Sequence, residues 1–323
     1  MQYTTLGRTG LKVSAAGLGT GGASRLGLGS GQTEDNAIAV VREAHARGVT
    51  LFDTGTNYGN EAALGHALEG IRRDSIVITT KTPVHKGKEN LTPETVIACL
   101  DDSLRDLRTD YVDVFMLHGV PPDHYDHARD VIMPAVLREK EKGKFRHLGM
   151  TESAPGDLQH EVLRYATMAG LIDVAMVAFH MMHQSARHSL FPHTQTVNVG
   201  TMGMYAVRGI FTSAERLIAD LKAAVEAGKI PPSWATDKNP LGFLLHPGGA
   251  ATLAEAAYRF VRHEPGMDVV LFGTGNVTHV RENVASILSP PLPEADRAEL
   301  VRLCESLPGL GLENPVRATP AAR

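Results

Sequence analysis

Cysteine is nearly missing from this chain of 323 residues, which holds two, Cys99 and Cys304. Two thiols in separate helix-like stretches cannot form a disulfide framework. They read as buried thiols of a protein kept in a reducing cytosol. An excess of one charge is missing too. Thirty-six acidic residues face 32 basic ones, a formal net charge of −4, which leaves no basic surplus for a nucleic-acid partner. With 43% hydrophobic residues, so small a net charge also excludes a disordered chain. Apolar runs are strand-sized: Val269-Val270-Leu271-Phe272 is among the best, far short of a membrane span, so no membrane partner is expected. Met1–Thr5 shows no basic stretch leading into an apolar one, so no secretory signal is read and the expected location is the cytoplasm. Aromatics are 5% of the chain, with one tryptophan, which argues mildly against a greasy aromatic pocket.

What the chain does have is glycine, 32 residues clustered at loops, and a regular alternation. Short β-branched runs take turns with helical stretches. Val13–Gly19 precedes Glu34–Arg47, Thr50–Asp53 precedes Glu61–Glu69, and Ile76–Lys81 precedes Pro93–Leu107. Val112–His118 then leads to Ala128–Lys142, Phe145–Met150 to Gly156–Ala169, and Val174–Phe179 to a weak helix near Ala186–Pro192. Val199–Tyr205 and Val269–Phe272 complete eight strand candidates. Thr92-Pro93-Glu94 is an N-cap, a first-turn proline and a first-turn acid, and Val96, Leu100, Leu104 and Leu107 form a helical stripe. Strands separated by helices pair in parallel, and eight such units over this length predict a closed (β/α)8 barrel of one domain, 1–323. A doubly wound sheet would bring a glycine fingerprint opening a helix after its first strand. Gly17–Gly22 lacks that spacing and reads as a loop on the barrel mouth. Three segments fall outside the repeat: a hairpin at 1–12 suited to plugging the barrel bottom, a long helical insertion at 211–266 between strands 7 and 8, and a tail at 309–323 expected to be mobile. Trp234, inside the insertion, serves equally as a flap over substrate or as a buried loop anchor.

In such a barrel the strand C-termini build the active site. Here they end in Asp53, Lys81 and His118, and Tyr58 follows on the loop after Asp53. The set has a chemical logic. A carbonyl that receives a hydride needs a proton, which Tyr58 can give. Lys81 would lower the phenol's pKa, Asp53 would orient Lys81, and His118 would hold the substrate oxygen. Two other chemistries start from parts of the same set. Lys81 alone suits a Schiff-base lyase, and a cofactor-binding regulatory protein would keep the site without turnover. The histidine-rich stretch His180, His183, His188 and His193 lacks metal-ligand spacing and has no cysteine near it, so no metal is expected.

Asp53-Thr54-Gly55-Thr56-Asn57-Tyr58-Gly59-Asn60-Glu61, continued by Leu64–Leu68, resembles the active-site signature of the aldo-keto reductases. Leu6–Ser14 is similar to the N-terminal hairpin of bacterial members, Asp110–His118 to the histidine strand, and Val270–Asn276 with His279–Asn283 to the phosphate-binding segment. The resemblance implies a nicotinamide-dependent oxidoreductase interconverting carbonyl and alcohol, with Asp53, Tyr58, Lys81 and His118 as its catalytic tetrad. It assigns the cofactor to Gly19, Thr20, Thr151, Glu152, Met176, Tyr205, Arg208, Gly273, Thr274, Gly275, His279 and Asn283. Several of these depart from the family pattern. Thr151-Glu152 replaces a Ser-Asn pair, Met176 a glutamine, and Gly273 and His279 two cations that usually meet a 2′-phosphate. The family default is NADP(H), but losing both cations leaves NAD(H) a near rival, with Arg208 and Arg281 as the cations that would compensate. The substrate loops, rich in Gly, His and Pro, suit a small polar carbonyl or sugar. Oligomeric state is not legible.

Overall fold

A computed structural model describes residues 1–236, 239–307 and 309–312. Eight parallel strands close into a barrel in chain order: β1 (Ala16–Gly19), β2 (Leu51–Asp53), β3 (Val77–Pro83), β4 (Val112–Val120), β5 (Phe145–Glu152), β6 (Val174–Ala178), β7 (Gly200–Met204) and β8 (Val269–Phe272), which pairs back onto β1. Helices α1 (Glu34–Ala46), α2 (Glu61–Leu68), α3 (Pro93–Asp106), α4 (Met133–Glu141), α5 (Glu161–Met168) and α6 (Phe191–Val197) alternate with the first seven strands. Between β7 and β8 lie α7 (Ala214–Glu226) and α8 (Leu253–Arg262), and α9 (Val277–Leu288) and α10 (Glu294–Cys304) follow β8. The chain is thus a (β/α)8 barrel carrying an N-terminal hairpin. No described helix is long and apolar enough to cross a membrane.

Cap chemistry accounts for the helix starts. Thr33, Thr92, Ser213 and Thr252 each accept a backbone N–H from three residues on. Three boundaries differ most from the sequence expectation. The run Val13–Gly19 breaks at Ala15: Lys12–Ser14 pairs with Tyr3–Thr5 in the hairpin, and only Ala16–Gly19 enters the barrel. The helix expected from Ala128 starts with a π-wound turn, Ala128–Ile132, because Pro134 has no N–H to donate. The helix expected from Gly156 starts at Glu161, where the Asp157 carboxylate accepts the N–H groups of Glu161 and Val162, both at 2.9 Å.

Strand alternation divides the core into two layers. Leu51, Val77, Val114, Met116, Val174, Met176, Met202, Val269 and Leu271 fill the barrel interior, and Leu6 and Val13 of the hairpin close its bottom. Phe52, Ile78, Phe115, Leu148 and Met150 face outward and pack under the helices. Trp234 is partly buried against that outer layer. Of the tail expected to be mobile, Gly309–Leu312 packs onto the barrel: Leu310 N–H donates to Met182 O at 3.3 Å and Leu312 sits among Ala154, Ala178 and Tyr205. Residues 313–323 lie outside the described residues.

Candidate active site

The period of two that packs the interior also loads the mouth. One step of alternation beyond an interior apolar residue comes a polar one: Leu51 then Asp53, Val77 then Thr79 and Lys81, Met116 then His118. Register brings them level, with Asp53 opposite Thr79 and His118 opposite Pro83.

Lys81 is the centre. Its ammonium, 1% exposed, donates to both Asp53 oxygens at 2.7 and 2.8 Å and to Thr54 O at 2.7 Å. Thr79 Oγ1–H also donates to Asp53 Oδ1 at 2.7 Å. The nitrogen lies 5.0 Å from the centroid of the Tyr58 ring, and that ring meets His118 edge to face at 5.7 Å. Burial opposes the charge on Lys81 more than any other single influence, yet the Asp53 carboxylate and the Tyr58 phenol together hold the ammonium above the ordinary lysine range. The outcome for Tyr58 differs from expectation. Burial pushes the phenol above its ordinary value and outweighs the downward pull of Lys81, so Tyr58 rests as a neutral phenol with a proton to give. His118 is pushed down to about 3, by burial first and Lys81 second, and is a neutral imidazole. Its buried Nδ1 has no hydrogen-bond partner.

The wall around Tyr58 requires glycine. A Cβ on Gly21 would lie 2.6 Å from Tyr58 Cζ and 2.9 Å from its hydroxyl. His118 sits where β4 shifts register against β5 between Leu117 and Val120, and Gly119 N–H is pinned by Thr151 Oγ1 at 2.6 Å.

The residues assigned to cofactor fall into two groups. Gly19 and Thr20 end β1, Thr151 faces the interior from β5, and Tyr205 follows β7 in a left-handed conformation, φ +69°. Gly273 is exposed at the end of β8. Thr274 Oγ1 accepts from Asn276 N–H at 3.1 Å, Gly275 backs onto Gly27, and Asn276 caps α9 by accepting from Thr278 N–H at 2.8 Å. His279 is exposed on the first turn of α9 and Asn283 is half-buried on its second.

The second group has its side chains engaged elsewhere in the protein. Glu152 is one position out of phase with Thr151, so its side chain points outward. Its Oε1 accepts Ala178 N–H at 2.6 Å and its Oε2 meets His160 Nδ1 at 2.6 Å, with both side chains fully buried. His160 Nε2 lies 2.9 Å from Ser185 Oγ, whose own proton goes to Leu158 O. Met176 fills the barrel interior. Arg208 stacks 4.2 Å over the Tyr205 ring and donates to Gly311 O and Leu312 O at 3.1 and 3.3 Å. Arg281 is joined to Glu43 of α1 at 2.8 Å. Asn60, His160 and Glu43 were not among the residues singled out in sequence. Of these, Asn60 alone lies inside the active-site signature Asp53–Glu61.

His180 and His183 are buried, with unpartnered Nε2 atoms, and His188 pairs with Glu305. Among the described residues no three of His, Cys, Asp and Glu are arranged to hold a metal ion.

Comparison with known proteins agrees with this geometry. The family model described as Aldo/keto reductase family matches residues 17–305. L-galactose dehydrogenase of Arabidopsis thaliana is 31% identical over 302 residues, covering 89% of this chain and 88% of its own length. The NADH-specific methylglyoxal reductase of Escherichia coli is 27% identical, covering 95% and 99%. Among solved structures, an aldo-keto reductase from Bacillus halodurans in its holo form superposes with a TM-score of 0.69 at 23% identity, over 94% of this chain and 96% of its own. One from Klebsiella pneumoniae in complex with NADP and acetate gives 0.65 at 21%, over 94% and 96%. The chain belongs to the aldo/keto reductase family.

Proposed function

We propose that this protein is a nicotinamide-dependent oxidoreductase that interconverts a small polar carbonyl compound and its alcohol, with Tyr58 as the general acid and base. The observation that carries the reading is Lys81: a wholly buried ammonium, bound by both oxygens of Asp53 and aimed at the face of the Tyr58 ring. The residues at the mouth fit a dinucleotide. Exposed Gly273 and the capped N-terminus of α9 offer backbone N–H groups to a pyrophosphate, Thr151 keeps a hydroxyl proton for the carboxamide, and the unpartnered His118 ring leaves capacity for a ligand oxygen. When bound, the cofactor supplies or accepts the hydride.

The chain's own residues handle the oxygen. In reduction, Tyr58 gives its proton to the carbonyl oxygen. Lys81 stabilises the phenolate left behind, so the proton leaves at a moment when its charge is already balanced. Asp53 keeps Lys81 charged and fixed. Neutral His118 holds the substrate oxygen without competing as a proton donor of its own charge. The same pairing with Asp53 weighs against a Schiff-base role, which requires a free amine on Lys81.

Cofactor choice follows from Glu43. Arg281, then Arg47, hold its carboxyl down at about 2, so it is ionised at any working pH and occupies the cation nearest to compensating for Gly273 and His279. Arg208 is engaged by the tail carbonyls. A 2′-phosphate near α9 would meet the Glu43 carboxylate and two arginines already engaged, Arg281 and Arg208, which supports NAD(H) over NADP(H). The methylglyoxal reductase relative is named as NADH-specific, and the two relatives together support a sugar or a short hydroxy- or keto-aldehyde as substrate.

The test is fluorescence titration with NADH and NADPH, followed by turnover on a panel of sugars and short aldehydes. NADH binds more tightly, Glu43→Gln narrows the gap, and Tyr58→Phe still binds cofactor but loses about a thousandfold or more in kcat. A Tyr58→Phe enzyme with unchanged turnover overturns the mechanism. Binding of neither nucleotide overturns the class.

A further inference from the structure

Asn60 stands at the N-cap of α2, where an asparagine side chain normally accepts a helix N–H, yet it caps nothing. The side chain is instead turned inward, and the residue is 2% exposed. Its Nδ2–H donates to Thr20 O at 2.7 Å, and its Oδ1 accepts the hydroxyl protons of Thr20 at 3.1 Å and Thr54 at 3.2 Å. Both threonines are fully buried. Giving up a cap is a cost, and the amide recovers it by tying together the loops that leave β1 and β2.

Both loops touch the proton-transfer pair. Thr54 is the residue whose carbonyl receives Lys81 Nζ at 2.7 Å. Thr20 is followed by Gly21, whose backbone forms the wall against the Tyr58 phenol. Asn60 itself is two residues past Tyr58, joined through Gly59 at φ +69°. One amide therefore sets three things: the carbonyl that anchors the ammonium, the wall that limits the phenol, and the turn that carries the phenol.

We infer that Asn60 is a positioning residue for proton transfer at Tyr58, acting through Thr54 on Lys81 and through Thr20 on Gly21. The inference rests on the reading of Tyr58 as the acid and base. The charged and titratable groups around the phenol are Lys81 from β3, Asp53 from β2, His118 from β4 and Tyr205 after β7. Of these, Lys81 is the group whose anchor Asn60 controls. An anchor lost lets the ammonium drift, weakens its pull on the phenol, and misplaces the donor oxygen. A misplacement of about 1 Å is enough to cost on the order of a hundredfold in rate.

The test uses the full chain with Asn60→Ala and with Thr54→Val, which removes one hydroxyl from the cluster and keeps its volume. Tyrosinate formation is followed by ultraviolet difference absorbance against pH, with Tyr58→Phe subtracted to isolate the one phenol. This readout needs no substrate, so its failure is distinct from failure of the proposed activity. The Tyr58 titration moves upward by about one unit in Asn60→Ala and by less in Thr54→Val. In turnover, kcat falls about tenfold to a hundredfold while KM for the nucleotide stays within about twofold. Asn60→Ala removes all three bonds and Thr54→Val only one bond to Oδ1, so Asn60→Asp, which keeps Oδ1 but loses the donor to Thr20 O, separates the Gly21 arm from the Lys81 arm. If Asn60→Ala does not fold, Thr54→Val alone decides. A folded variant whose phenol titrates as in the parent, with kcat unchanged, overturns the inference and leaves Asn60 a structural cross-link.

Discussion

Neither Tyr58 nor Lys81 is in its ordinary environment. An ammonium moved out of water costs several kcal/mol, and Lys81 is wholly buried. Three short contacts to Asp53 and Thr54 offset that cost, and they leave the charge pointing at one ring. The phenol, in turn, stays protonated because the same burial disfavours its anion. Space for it comes from a missing side chain. Gly21→Ala puts a methyl 2.6 Å from Tyr58 Cζ, against a ring that is itself backed by His118 and Lys81. Overpacking of this kind costs about 1–3 kcal/mol. Because the obstacle is a ring near the cleft and not the core, the expected split is a small fall in thermal midpoint and a large fall in kcat. Comparing calorimetry with turnover on the same preparation checks it; an alanine variant with parental kcat would show the ring has room to move.

At the scale of the element, β5 shows how much hangs on a period of two. Thr151 faces the mouth, and Glu152, one residue later, faces outward into a buried pair with His160. The pair ties the end of β5 to the start of α5 and, through Ser185, to the turn after β6. Glu152→Ala leaves Ala178 N–H and His160 Nδ1 buried without their partner. Each buried hydrogen-bonding group left unsatisfied costs about 1–3 kcal/mol, so urea denaturation gives a midpoint well below the parent's, while nucleotide affinity in the folded fraction is preserved. A parallel loss of nucleotide affinity would put Glu152 back at the carboxamide. The same strand marks what is legible in the sequence. Alternation of strand and helix, and apolar residues leading to Asp53, Lys81 and His118, carry the barrel and the tetrad. These are repeating patterns, and a repeat can be read without coordinates. The facing of Glu152 was missed because a residue at a strand's last position can follow the strand's phase or leave it. The break at Ala15, the pairing of Arg281 with Glu43 and the docking of Gly309–Leu312 all depend on contacts between distant segments. No local pattern encodes those.

Three buried histidines make the whole molecule sensitive to acid. His118, His180 and His183 are pushed down to about 3, about 3 and about 2, in each case by burial first. His180 Nδ1 accepts Met182 N–H at 3.1 Å, which fixes the neutral ring with its proton on Nε2. His183 adjoins His160 and His180 and touches the docked tail at Gly309. In the unfolded chain each would titrate near 6.5. Above that value both states are neutral and the three contribute no pH dependence. Below it the unfolded chain binds protons that the folded chain refuses, so stability falls as the pH falls, by up to about 1.4 kcal/mol per pH unit for each histidine. The lowered carboxylates act elsewhere on the scale. Glu43 and Asp173, held down to about 2, lose their contribution only below the carboxylate range, and Glu61 and Asp268, raised by burial, act in the opposite sense. The interval from about pH 5 to 6.5 therefore isolates the histidines from the lowered carboxylates. Urea unfolding across it gives a midpoint that drops steadily toward acid. His183→Asn, which cannot titrate, lowers stability at pH 7 through lost packing but flattens the slope by about a third. A slope unchanged in that variant would mean that His183 finds water or a counter-charge on protonation, and that the docked tail next to it yields before the barrel does.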